Sequence, residues 1–175
     1  MRAIPLIATL TGVMLLLASC SKPGQQTVTL VGNPTPAIKL STLDGSSFSP
    51  SDESGKVLLL DFWATWCPPC RQSLPHVQEL SADADRVAKG LVVQTINDQE
   101  SSDVIQKFQK DNGYRFPVAL DPDGSAADKY HVEGIPTTVL VGRDGKVRNV
   151  WVGYDDSIPA QINDAVDKAL SESRN

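Results

Sequence analysis

The chain has 175 residues, 41% hydrophobic and 21% charged, with three cysteines and a formal net charge of −5. This describes one domain of ordinary size with extra sequence at an end, and it excludes both a disordered chain and a membrane bundle. An acidic surface without basic clusters excludes nucleic acid as a partner and offers no attraction to anionic lipid.

Arg2, the mostly apolar stretch 4–18 and the small residues Ala18 and Ser19 predict a secretory leader over residues 1–19. The apolar run is short of the roughly 20 residues a spanning helix needs, and Pro5 and Gly12 weaken it further. Leu17-Ala18-Ser19-Cys20 resembles the lipobox of bacterial lipoproteins, which makes Cys20 the expected lipidated first residue of the mature chain. Each buried methylene of an acyl chain contributes about 0.8 kcal/mol, so more than one chain makes a stable anchor. With Cys20 lipidated, Cys67 and Cys70 remain as a single pair. Residues 20–33 are polar and without period, a tether between membrane and domain.

The folded part is expected over residues 34–173. The segments 36–40 and 46–48 flank Leu43-Asp44-Gly45 and predict a hairpin. Val57 to Trp63 is a continuous apolar run, suited to a strand buried on both faces. From Pro69 the pattern turns helical, with Leu74, Val77, Leu80, Ala84, Val87 and Ala88 on one face as far as Gly90, and Pro75 predicts a kink. Leu91 to Ile96 is the next strand. Val104, Ile105, Phe108 and Gln109 mark a second helix, stopped by Asn112-Gly113. Phe116 to Leu120 predicts a short strand, Asp121-Pro122-Asp123-Gly124 a turn, and a short helix follows through Tyr130. Thr137 to Val141 and Lys146 to Val152 read as a hairpin about Arg143-Asp144-Gly145. Ile158, Ile162, Val166 and Leu170, four apart, predict a last helix over 157–171. A β-α-β start followed by a hairpin and helix is an α/β arrangement of helices around a mixed sheet.

Trp66-Cys67-Pro68-Pro69-Cys70, directly behind the apolar strand, carries the chemistry. The pair can close a disulfide or open to a dithiol. A helix N-terminus favours an anion, so a Cys67 placed there is partly thiolate near neutral pH, the form that attacks disulfides. A loop this small restrains little chain entropy, so a structural staple is a poor use for it. Zinc needs four ligands, and only His76 and His131 are available to add to the pair. Pro68 and Pro69 lack N–H groups and withdraw donors from Cys67, although the Cys70 N–H remains. The expectation is a reducing poise nearer thioredoxin, about −270 mV, than DsbA, about −120 mV.

Asp61 through Arg71, with Pro75 five residues past Cys70 and Ile135-Pro136-Thr137 far downstream, resembles the thioredoxin fold. The hairpin before the first core strand and the extra helix around residues 102–112 resemble its TlpA/ResA branch of membrane-tethered oxidoreductases. The resemblance implies a thioredoxin-like domain: a mixed central β-sheet flanked by helices, with an N-terminal hairpin and one inserted helix. It also implies roles. Cys67 is the more exposed nucleophile and Cys70, facing inward, resolves the mixed disulfide. Pro136 is the cis-proline facing the pair and aims the Ile135 backbone at an incoming strand, while Trp66 supplies an apolar contact surface and Trp63 packs against the sheet. Asp61 matches the buried carboxylate of thioredoxin, and Glu100 the acidic residue of ResA-like members. Either, if buried, suits taking a proton from Cys70. Glu100 reads equally as a solvated residue opening a helix.

The implied activity is reduction of disulfides in exported proteins on the outer side of a bacterial membrane, with cytochrome c maturation as one setting. The implied partners are protein thiols and disulfides and a membrane electron donor of the DsbD/CcdA kind, met by a lipid-anchored monomer. No cofactor or metal is implied beyond the Cys67–Cys70 pair. A thiol peroxidase is the alternative enzyme, but its P-x-x-x-T-x-x-C pattern is missing, since Leu60 and Ala64 stand at those positions. A copper carrier is the alternative binding protein; both methionines, Met1 and Met14, lie in the leader.

Overall fold

The computed structural model describes residues 30–173. The expected leader and Cys20 lie outside them. Among the described residues, the segment 30–33, expected as the end of the tether, already makes backbone hydrogen bonds. Gly32 N–H donates to Val147 O at 2.8 Å and Thr35 N–H to Gly145 O at 2.8 Å, seating this segment along the last hairpin.

A two-stranded antiparallel hairpin, β1 (Leu40–Ser41) and β2 (Ser47–Phe48), opens the fold. It is shorter than the sequence suggests, since residues 36–39 run as a loop. A 3-10 turn, Pro50–Glu53, leads to β3 (Val57–Trp63), all seven residues of which are buried. The elements that follow are α1 (Pro68–Ala82), α2 (Ala84–Ala88), β4 (Leu91–Asp98), α3 (Ser102–Asn112), β5 (Val118–Asp121) and α4 (Ser125–Lys129), then β6 (Thr137–Val141), β7 (Val147–Val152) and α5 (Ile158–Ser171). The strands β5-β4-β3-β6-β7 form one mixed sheet. β3, β4 and β5 are parallel, and β6 and β7 are antiparallel to their neighbours.

Alternation along β3 divides the core. Leu58, Leu60 and Phe62 face Ile96, Val139, Val141 and Tyr130 on one side. Val57 and Leu59 face Val77 and Leu80 of α1 and Ile162, Val166 and Leu170 of α5 on the other. Each fully buried Leu, Ile or Val contributes about 1.5–3 kcal/mol, so this double-sided strand is the backbone of the core. At its C-terminal end, Trp63, Ala64, Cys67, Cys70, Leu74, Ile105, Phe116 and Val118 form a third cluster. The inserted α3 closes that end, with Trp63 packed between Phe108, tilted at 5.5 Å, and Phe116, edge-on at 5.6 Å.

Three expectations need correction. The helix expected to run from Pro69 to Gly90 is two helices, broken at Asp83, whose carboxylate caps α2 by accepting from Arg86 N at 3.0 Å. Ala84, Val87 and Ala88 therefore leave the apolar face and are exposed, Val87 at 47%. Pro75, at which a kink is expected, lies inside α1. Val104 is also exposed, and Ile105 is the buried residue of α3. The strand expected at Phe116 begins at Val118. Gln109 donates to the Phe116 carbonyl at 2.8 Å, taking that group out of the ladder.

Candidate active site

β3 ends at Trp63 and α1 begins at Pro68, so Ala64 to Cys67 form the connection at the C-terminal edge of the sheet. Pro68 and Pro69 occupy the first two helical positions, where a missing N–H is harmless and the fixed φ is favourable. Cys67 is the N-cap. Its sulfur accepts from the Cys70 N–H at 3.2 Å and is bonded to Cys70 in a disulfide whose Cα atoms are 5.3 Å apart. A backbone donor thus points at the atom on which negative charge appears when the disulfide opens.

Across the site, the Ile135–Pro136 bond is cis, and the Ile135 carbonyl oxygen lies 3.5 Å from Cys67 Sγ. In the disulfide this sulfur has no hydrogen, so this is a contact; on reduction the same oxygen can accept the Cys67 S–H. The two sides meet because β3 and β6 pair with Phe62 opposite Thr137. Trp66 is 62% exposed beside them. Cys67, expected as the more open sulfur, is 2% exposed against 0% for Cys70. The disulfide is nearly closed over.

Asp61 is wholly buried on the face of β3 that α1 covers, opposite Thr95 of β4 and Thr138 of β6. Burial pushes its carboxyl up to about 7, and the Thr138 hydroxyl, donating to Oδ1 at 2.7 Å, works in the other direction. Asp61 Oδ2 has no protein partner. Glu100, half-buried just before α3, is placed otherwise than a free helix-opening acid. Its carboxylate accepts from Thr65 N at 2.7 Å, from the Thr65 hydroxyl, and from Asn97 Nδ2 at 2.8 Å. No cysteine is among its hydrogen-bond partners.

The redoxin family model matches residues 30–168. Thiol-disulfide oxidoreductase ResA of Geobacillus thermodenitrificans is 32% identical over 129 residues, 74% of this chain and 73% of that protein. Among solved structures, a candidate thiol:disulfide interchange protein DsbE from Chlorobium tepidum is 36% identical with a TM-score of 0.74, covering 81% of this chain and 98% of that one. An exposed lipoprotein thioredoxin of Streptococcus pneumoniae is 28% identical with a TM-score of 0.65, covering 75% and 98%.

The chain belongs to the redoxin family, among its ResA-like thiol–disulfide oxidoreductases.

In this redoxin the sequence reading missed four residues that hold the site. Thr65 is gripped at both ends, by Glu100 and by Arg71, whose Nε donates to the Thr65 carbonyl at 2.7 Å. The Arg71 guanidinium also sits over the Phe108 ring at 5.7 Å, tying the start of α1 to α3. Asn97 fixes Glu100, and Thr138 bonds Asp61. The available signal was polarity inside strands: Thr95, Asn97 and Thr138 break otherwise apolar runs on the α1 side of the sheet. His76 bonds Asn163 of α5 at 3.2 Å, a packing role between helices.

Proposed function

We propose that this protein is a lipid-anchored, extracytoplasmic enzyme that reduces disulfides of exported proteins through Cys67 and Cys70, apocytochrome c before haem attachment among them. The observation that carries the reading is the Cys67 sulfur: it caps α1, takes the Cys70 N–H at 3.2 Å, and lies 3.5 Å from the Ile135 carbonyl beside cis-Pro136. The ResA relatives support the activity. The lipobox-like Leu17-Ala18-Ser19-Cys20 supports the anchor, as does the name of the pneumococcal lipoprotein thioredoxin.

In the reduced enzyme the Cys67 thiolate attacks one sulfur of the substrate disulfide. A Cys67–substrate S–S bond forms, the substrate disulfide breaks, and the departing thiolate takes a proton from water. Cys70 then gives its proton to the Asp61 carboxylate, which near neutral pH is partly ionised and able to accept it. The Cys70 thiolate attacks Cys67 Sγ, the Cys67–Cys70 disulfide forms, and the second substrate sulfur leaves as thiolate. The substrate has gained two electrons and the enzyme has lost two; a membrane dithiol donor of the DsbD/CcdA kind returns them. Trp66 and the Ile135 backbone receive the substrate chain next to the sulfurs.

Replacing Cys70 with Ala removes the resolving thiol and should freeze mixed disulfides on Cys67. Capture of exported proteins that vanishes in a Cys67→Ser, Cys70→Ala double variant is the expected result. No captured protein, with the redox state of exported thiols unchanged in cells lacking this enzyme, would overturn the reading.

A further inference from the structure

Asp61, Trp63, Thr95 and Asn97 make a square on one face of the sheet. β3 and β4 run parallel with Asp61 opposite Thr95 and Trp63 opposite Asn97, and the pleat sends all four side chains to the α1 side. None is more than 1% exposed. Three of their polar atoms have no partner among the described residues: Asp61 Oδ2, Trp63 Nε1 and Asn97 Oδ1. Nearby hydroxyl hydrogens are committed elsewhere. Thr95 donates to the Pro117 carbonyl at 2.8 Å, and Thr138 to Asp61 Oδ1 at 2.7 Å. The orientation of the Asn97 amide follows from chemistry: a carboxylate only accepts, so the nitrogen faces Glu100 Oε2 at 2.8 Å and the oxygen is the end left over.

We propose that Asp61 Oδ2, Trp63 Nε1 and Asn97 Oδ1 together bind one internal water molecule. Asn97, held by Glu100, is thereby a positioning residue for the proton that Asp61 exchanges. The three atoms are one titratable oxygen, one obligate donor and one obligate acceptor. A single water satisfies that set in both protonation states. With Asp61 neutral, the water accepts from the Asp61 hydroxyl and from the indole N–H, and donates to Asn97 Oδ1. With Asp61 ionised, it accepts from the indole and donates to both oxygens. About three such partners is the usual complement of an internal water, and buried polar groups are rarely left without one.

The acidic group bonded to this square is Glu100, through Asn97. Cys70 of α1 is in the disulfide, Thr95 and Thr138 are neutral, and Ile162 and Val166 of α5 are apolar. Burial and the Thr138 hydroxyl are the influences on Asp61, and Glu100 touches this group of residues through Asn97. Glu100 therefore acts at a distance from the sulfurs, by choosing which end of the Asn97 amide faces inward.

The role assigned to Asn97 rests on the oxidoreductase reading, but the water site is tested in the oxidised full-length protein without substrate, so the two can fail separately. In the labelled wild type, the Trp63 indole N–H should show magnetisation transfer from a long-lived water. It should also titrate with the same midpoint as the Asp61 carboxyl carbon, while the Trp66 and Trp151 indoles do neither. Asn97→Leu keeps the branching and removes the acceptor. The water signal should disappear, and the proton affinity of Asp61 should rise about tenfold as its ionised form loses a donor. Absence of the water contact at Trp63 in the wild type would overturn the proposal, whether or not the variant folds. So would a folded Asn97→Leu with both signals unchanged.

Discussion

Asp61→Asn separates the electrostatic burden of the buried acid from everything else in the fold. Burial raises the Asp61 carboxyl from the ordinary 3.8 to about 7. The native chain therefore holds this proton across a window in which the unfolded chain has released it. Between those limits the native state binds more protons, so stability falls as pH rises. The contribution is fully present below about pH 3.8 and gone above about pH 7. A gap of about 3 pH units corresponds to about 4 kcal/mol, a large part of the 5–15 kcal/mol typical of a domain. Asparagine has the same shape, can still accept from Thr138, and does not titrate. Its unpaired amide N–H adds a pH-independent penalty of about 1–3 kcal/mol. Urea unfolding of the oxidised protein, followed at several pH values for both chains, reads the difference directly. Asp61→Asn should gain on the wild type by about 4 kcal/mol in total between pH 4 and pH 8. Parallel stability curves would refute the reasoning, because every other titrating group cancels in the comparison.

Glu100→Gln can keep the oxygen that serves both Thr65 N and Asn97 Nδ2, but its amide nitrogen cannot accept from the Thr65 hydroxyl, so that bond is lost and the other two lose their charge assistance. Stability should drop by about 1–3 kcal/mol in urea, and the Thr65 amide should exchange its hydrogen faster, as read by NMR. Trp66→Ala removes a side chain that is 62% exposed. Unfolding should change by no more than about 0.5 kcal/mol, while reduction of a protein disulfide slows and that of a small disulfide does not.

The sequence spoke most clearly where one force dominates. β3 was legible because seven consecutive residues are buried, and α5 because its apolar residues fall four apart. The split between α1 and α2 was hidden because Ala84 and Val87 continue the apolar spacing of α1 while pointing to solvent; a single cap at Asp83 outweighs that weak pattern. In the site, the cysteines and cis-Pro136 announced themselves through motif and spacing. Thr65 and Thr138 did not, because their partners lie 35 and 77 residues away in the chain, and Asn97 bonds Glu100 only three residues on, with no motif to mark it. Polar side chains in a buried strand become meaningful only when the register fixes what stands opposite them.

The pairing of β3 with β6 has a consequence for how the site is assembled. Phe62 opposite Thr137 brings the Ile135 carbonyl to Cys67, and the same register sets Thr138 against Asp61. A slip of one residue would turn Thr138 to the opposite side of the sheet and leave Asp61 without its hydroxyl. Before those strands meet, the Ile135 carbonyl is not beside Cys67 and the Thr138 hydroxyl is not beside Asp61. The complete site thus depends on contacts 68 and 77 residues apart in the chain, while the Cys70 N–H that meets Cys67 is local to α1. A chain with β3 and β6 out of register keeps both cysteines but loses the groups that face them.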